Sequence, residues 1–101
     1  MSEAPSKGYL VVEFELTDPV EYERYRGMAS HLPAQYGGRV IIGQGKALPV
    51  EGGWAPKSFF VVEFPSYEDA KAFYFCAEYQ AALPIRLAAS KSRAFLVEGA
   101  L

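Results

Sequence analysis

The stretch VVEF stands at residues 11–14 and again at residues 61–64, each time inside a longer apolar run, YLVVEFEL (9–16) and SFFVVEF (58–64). Side chains alternate across a strand, so Leu10, Val12, Phe14 and Leu16 share one face and Tyr9, Val11, Glu13 and Glu15 the other. Phe60, Val62 and Phe64 likewise oppose Phe59, Val61 and Glu63. Each run is followed by a helix start. After the first, Asp18 caps, Pro19 takes the first helical position and Glu21 has capping-box spacing; after the second, Ser66 caps with Asp69 three residues on. A strand leading into a capped helix, twice in one short chain, predicts a duplicated β-α unit.

Filling in the intervening residues gives the order β-α-β-β-α-β. Tyr22, Tyr25, Ala29, Leu32 and Tyr36 recur at steps of three and four, one apolar stripe of a helix that Pro33 is expected to kink and Gly37-Gly38 to stop. RVIIG (39–43) reads as the second strand, and GQGKALPVEGGW as an irregular extension with a turn at Gly52-Gly53. Ala70, Phe73, Tyr74 and Ala77 form the inward stripe of the second helix. A shorter helical piece, EYQAALPIRLAAS, is bent by Pro84, and SRAFLVEG (92–99) is the last strand. This order predicts an α+β, ferredoxin-like fold: an antiparallel four-stranded sheet with helices on one face. Residues 1–7 are expected to be a disordered tail and residues 8–101 a single domain.

At 101 residues, half of them hydrophobic, the chain is expected to form one core. A net charge of −2 gives no general attraction to phosphate backbones or anionic lipid. No apolar run approaches a membrane span. The start, MSEAPSKGYL, lacks a basic region followed by an apolar one, so no signal peptide and a cytoplasmic location are expected. The single cysteine, Cys76, excludes an internal disulfide framework.

With helices over Leu10, Val12, Phe14, Phe60, Val62 and Phe64, the opposite face carries Tyr9, Val11, Glu13, Phe59, Val61 and Glu63. By the same alternation the last strand is expected to add Ala94, Leu96 and Glu98. A broad apolar face studded with carboxylates marks an interface. Two such sheets packed face to face would give a homodimer, with the carboxylates at its rim or around an enclosed cavity.

A set of short motifs runs through residues 8–99: Thr17-Asp18-Pro19 with Tyr22 and Tyr25, Tyr36-Gly37-Gly38-Arg39, Glu51, Trp54 and Pro56-Lys57. It continues with Glu63-Phe64-Pro65-Ser66, Ala70, Phe73-Tyr74, Glu78-Tyr79-Gln80, Arg86 and Val97-Glu98-Gly99. Together they resemble the DUF1330 family of small bacterial proteins, within the dimeric α/β-barrel superfamily. The resemblance implies the ferredoxin-like fold and the sheet-to-sheet dimer, and no reaction. Phe75-Cys76-Ala77 departs from the pattern, since small polar residues are more usual there.

The candidate site follows from residue chemistry. Arg39 and Arg86 fall in the resembling motifs, and a guanidinium grips a carboxylate with two parallel bonds; either could instead pair with Glu63, Glu78 or Glu98. Tyr25, Trp54 and Tyr79 are the aromatic candidates for lining a small-molecule site, Trp54 alternatively packing beneath a partner subunit. Glu63 and His31 are the candidates for acid–base work: an enclosed carboxylate is pushed upward by desolvation, and His31 is the only histidine. One histidine cannot build a histidine-based metal triad, so no metal is expected. GQGKAL runs into Leu48-Pro49 rather than a helix N-terminus, so it is no phosphate loop, and no cofactor is expected. KSFFVVEF (57–64) mimics an RNA-recognition strand, but Val61 stands where a stacking aromatic is needed and carboxylates share the face, so no nucleic-acid partner is expected. Two functions remain: a site for a carboxylate-bearing small molecule, which could belong to a cofactor-independent enzyme, or a non-catalytic homodimeric binding or scaffold protein.

Overall fold

A computed structural model describes residues 6–43 and 45–100. Most of the tail expected over residues 1–7 therefore lies outside the described residues, as do Gln44 and Leu101. The first strand, β1 (Gly8–Leu16), leads into α1 (Pro19–Ala29), where the Asp18 carboxylate accepts the Glu21 amide at 3.2 Å. Strands β2 (Arg39–Gly43) and β3 (Ser58–Phe64) follow, then α2 (Tyr67–Tyr74), α3 (Ala77–Ala89) and β4 (Ser90–Glu98). The sheet order is β2-β3-β1-β4, antiparallel throughout, the ferredoxin-like arrangement expected from the duplicated motif. Among the described residues no helix is long and apolar enough to cross a membrane.

The core lies between the sheet and the helices. Leu10, Val12, Phe14, Val62 and Phe64 enter it from the strands, Tyr22, Tyr25 and Ala29 from α1, Ala70 and Phe73 from α2, and Tyr79, Ala82 and Leu83 from α3. Gly8 is required where β1 begins, because a Cβ there would lie 2.5 Å from the Ser66 carbonyl oxygen at the cap of α2.

Four local expectations are corrected. The first helix does not continue, kinked, through Pro33. It ends at Ala29, and Pro33–Tyr36 form a separate 3-10 turn closed by Gly37 at φ 76°. A proline ring strikes the carbonyl four residues back, here that of Ala29, which instead accepts the Leu32 amide at 3.1 Å. Ala77 does not extend the stripe of α2; it opens α3 and is exposed. The piece expected to be short is the longest helix, with 13 residues. Pro84 is tolerated inside it because Pro84 and Gln80 both lie on the exposed side, where the carbonyl freed at Gln80 can meet water.

The fourth correction moves a strand by one residue. In β4, Phe95 is opposite Val11, Arg93 opposite Glu13 and Val97 opposite Tyr9, so these three share the open face. Ala94 and Leu96 oppose Val12 and Leu10 and face the helices, and Glu98 goes with them opposite Gly8. The run AFLV is apolar on both parities, so alternation alone could not choose. The open face thus carries Val11, Phe59, Val61, Phe95 and Val97 with the carboxylates Glu13, Glu15 and Glu63, while Glu98 lies on the helix side.

Candidate functional site

Tyr22 and Tyr25 lie one turn apart on α1, and Tyr79 and Arg86 two turns apart on α3, so each pair presents a single helix face. The faces meet above the sheet. Here a cleft of ≈ 340 Å³ opens between α1, the 3-10 turn and the β3–β2 side of the sheet. Its walls are apolar and aromatic, including Phe14, Tyr22, Phe60, Val62 and Phe73, and Arg26 and Ser30 also line it. Phe14 stacks on Tyr22 with centroids 5.4 Å apart, and Phe73 meets Tyr79 at 4.6 Å, which fixes the rings.

The polar feature of the cleft is a pair of phenols. The Tyr25 and Tyr79 hydroxyl oxygens are 2.8 Å apart and both residues line the cleft. Behind them sits Arg86, only 1% exposed. Its Nη1 donates to Ser92 Oγ at 2.8 Å and its Nη2 to the Tyr79 hydroxyl at 3.5 Å, with the guanidinium 5.8 Å from the Tyr25 ring centroid. Its Nε has no hydrogen-bond partner among the described residues, and none of their carboxylates forms an ion pair with it. Burial, then the neighbouring Tyr79 phenol, push the Tyr25 hydroxyl well above the ordinary tyrosine range, so it stays a donor.

Of the residues marked out by sequence, Tyr25, Tyr79 and Arg86 come together and the others do not join them. Arg39 and Glu63 are cross-strand neighbours on the open face, paired at 3.3 Å, and Glu63 also accepts from the Tyr9 hydroxyl at 3.3 Å. Trp54 is 59% exposed and borders a groove with Glu13, Pro56, Lys57 and Arg93. His31 is exposed in the link after α1. Cys76, half-buried, caps α3 by accepting the Tyr79 amide. Sequence reasoning missed Ser92, whose only signal was a polar residue in an apolar strand, and Arg26 and Ser30, which lie off the tyrosine stripe of α1. Among the described residues, no group of three or more His, Cys, Asp and Glu side chains could hold a metal ion.

Residues 7–100 match the family described as a domain of unknown function, DUF1330. The chain belongs to the DUF1330 family. The match covers every element of the fold, including the helix faces that carry Tyr25, Tyr79 and Arg86. Among solved structures, this DUF1330 chain is similar to a protein of unknown function from Rhodopseudomonas palustris, at 17% identity and a TM-score of 0.70 over 95% of this chain and 84% of that one. It also resembles SnoaB, a cofactor-independent oxygenase from Streptomyces nogalater (13% identity, TM-score 0.62, 95% of both chains). A third is a dimeric ferredoxin-like protein of unknown function from Thermobifida fusca (20% identity, TM-score 0.58, 100% of this chain and 96% of that one). At these identities the likeness is one of fold. No curated protein matches the chain.

Proposed function

We propose that this DUF1330 protein is a homodimer that binds a small, mostly apolar, carboxylate-bearing molecule in the cleft between α1 and the sheet. The carrying observation is Arg86: a buried guanidinium with no carboxylate partner among the described residues, set behind the two phenols that line the cleft. A buried charge left unpaired is costly, roughly several kcal/mol even after relaxation. A ligand carboxylate accepting from the tyrosine hydroxyls would supply the missing negative charge close to Arg86. The aromatic walls suit a flat apolar body.

The polar residues lining the cleft are tyrosines, Ser30 and Arg26, whose guanidinium pairs with Glu23 at 3.1 Å. They favour binding of an anion and offer no base working near neutral pH, so binding is the function we assign. The oxygenase activity of SnoaB supports catalysis here only through shared fold. The open-face carboxylates are assigned to assembly, because Glu63 pairs with Arg39 and Glu13 with Arg93 at 2.8 Å, on a face otherwise rich in Val and Phe. Their proposed role is to keep register in a sheet-to-sheet dimer.

The test compares 2-naphthoate with its uncharged amide by thermal shift. A ligand at 100 times its Kd stabilises by about 2.7 kcal/mol. Naphthoate should raise the melting temperature and the amide should not. Arg86→Met should remove the naphthoate shift, and Arg39→Ala should leave it. Equal shifts from both compounds, or a naphthoate shift surviving in Arg86→Met, would refute the role given to Arg86.

A further inference from the structure

Trp54 stands outside the cleft, in a segment whose large apolar residues find little cover in their own chain. Between β2 and β3, Leu48 is 82% exposed and Val50 80%, and Trp54, beyond the turn at Gly52-Gly53, is 59% exposed. The adjoining edge strand β2 adds Val40, Ile41 and Ile42, all exposed. Chains of this length usually have a radius of gyration of about 13 Å; this one has 14.4 Å, with principal extents of 49 × 38 × 16 Å. It is a thin slab, one sheet and one helix layer deep.

We infer that residues 45–57 form a clasp that lies on a second copy of the chain, with Trp54 as its main anchor and Leu48 and Val50 beside it. The inference rests on the sheet-to-sheet dimer proposed above and adds to it a separate contact surface. Two observations and the symmetry of such a dimer point to a second copy as the occupant. Trp54 shares its groove with Glu13 and Arg93, which lie on the open face, so the clasp is rooted at the border of that face. On the open face Arg39 pairs with Glu63 and Arg93 with Glu13, so two copies can meet with these four charges already opposed among apolar residues. In a two-fold dimer the same patch serves both subunits, so each clasp meets the border of the other sheet and both are covered at once. The root is held by Lys57, which bonds Glu15 at 3.3 Å and would aim the clasp. Tryptophan is the residue type most often dominant in such contacts, because one side chain covers a large area with few rotatable bonds.

The chain contains one tryptophan, so its fluorescence reports this contact alone. Full-length protein is diluted through its dissociation range and followed by sedimentation velocity and tryptophan emission together. The expected result is a red shift of emission, and easier acrylamide quenching, with the same midpoint as dissociation. Trp54→Ala, and separately Leu48→Ser with Val50→Ser, should raise the dimer Kd at least about tenfold. Circular dichroism should stay unchanged, since these residues are exposed in the subunit. Unchanged dimer Kd in both variants, or emission that ignores dissociation, overturns the clasp while leaving the sheet-to-sheet dimer standing. A parent protein that is monomeric at every concentration refutes the dimer itself, and the clasp with it.

Discussion

Arg86→Met is expected to stabilise the fold while abolishing carboxylate binding. Most substitutions at a side chain 1% exposed destabilise. Here the buried group is a charge. Its desolvation costs roughly several kcal/mol, and replacing buried ionic groups by apolar ones of similar volume is often stabilising by about 1–4 kcal/mol. Against this stand the charged hydrogen bond to Ser92, about 2 kcal/mol, and the contact with the Tyr25 ring, about 1 kcal/mol. Neither partner is stranded by the change: Ser92 is only partly buried, and Tyr79 keeps its bond to Tyr25. Methionine follows the arginine stem and adapts to an irregular space. A desolvation cost of roughly 4–5 kcal/mol set against these two contacts, about 3 kcal/mol together, leaves a gain of about 1–2 kcal/mol, which for a domain of this size raises Tm by roughly 4–16 °C. Urea unfolding of both proteins without ligand, followed by circular dichroism, reads it directly. A loss of more than about 1 kcal/mol would show that the guanidinium is compensated inside the fold. The unpaired charge could then no longer be held in reserve for a ligand.

Other expectations address the face, the tyrosines and a cap. Val61 lies between Val11 and Ile42 on the open face, so Val61→Asp should raise the dimer Kd by more than about 100-fold, the effect of burying an unpaired carboxylate; a dimer of unchanged mass by light scattering would refute the open-face interface. Burial, then Tyr79, raise Tyr25 above its unfolded value. The folded state therefore keeps a proton that the unfolded chain releases above about pH 10, and this stabilisation, full below pH 10, falls as pH rises further, by about 1.4 kcal/mol per pH unit. Urea midpoints should drop more steeply above pH 10 in the parent than in Tyr25→Phe, and parallel curves would remove Tyr25 as the cause. Ser66 Oγ accepts the Asp69 amide at 3.1 Å, so Ser66→Ala should cost about 1 kcal/mol in the urea midpoint, and a neutral result would mean that water replaces the cap.

How much of this was legible beforehand depended on whether a feature is local. Two amphipathic strands, each followed by a capped helix, are written in neighbouring residues, and the covered faces of β1 and β3 follow from strict alternation. Arg86 and Tyr79 could be named as candidates because both fall in the short motifs that resemble the family. The end of α1 at Ala29 was not written locally, since a proline can kink a helix or stop it, and Pro84 sits inside α3. That end and its consequence, a 3-10 turn beside the cleft, needed the structure.

Tertiary structure decided what depends on register and distance. Whether AFLV turns Phe95 or Leu96 toward the helices is set by pairing with β1, because either parity buries apolar area. The candidate site divided for the same reason. Arg39 and Glu63 meet across adjacent strands on the open face, and Tyr25, Tyr79 and Arg86 on the other side of the sheet. A sheet one residue thick separates groups that sequence spacing alone can neither join nor part. The sequence by itself determined the fold and the residue types able to grip an anion. Only the packed chain could show that the Arg39 cation has a carboxylate partner while Arg86, in the interior, finds none among the described residues. Pairing is a matter of distance and burial, and neither exists until the helices close over the sheet.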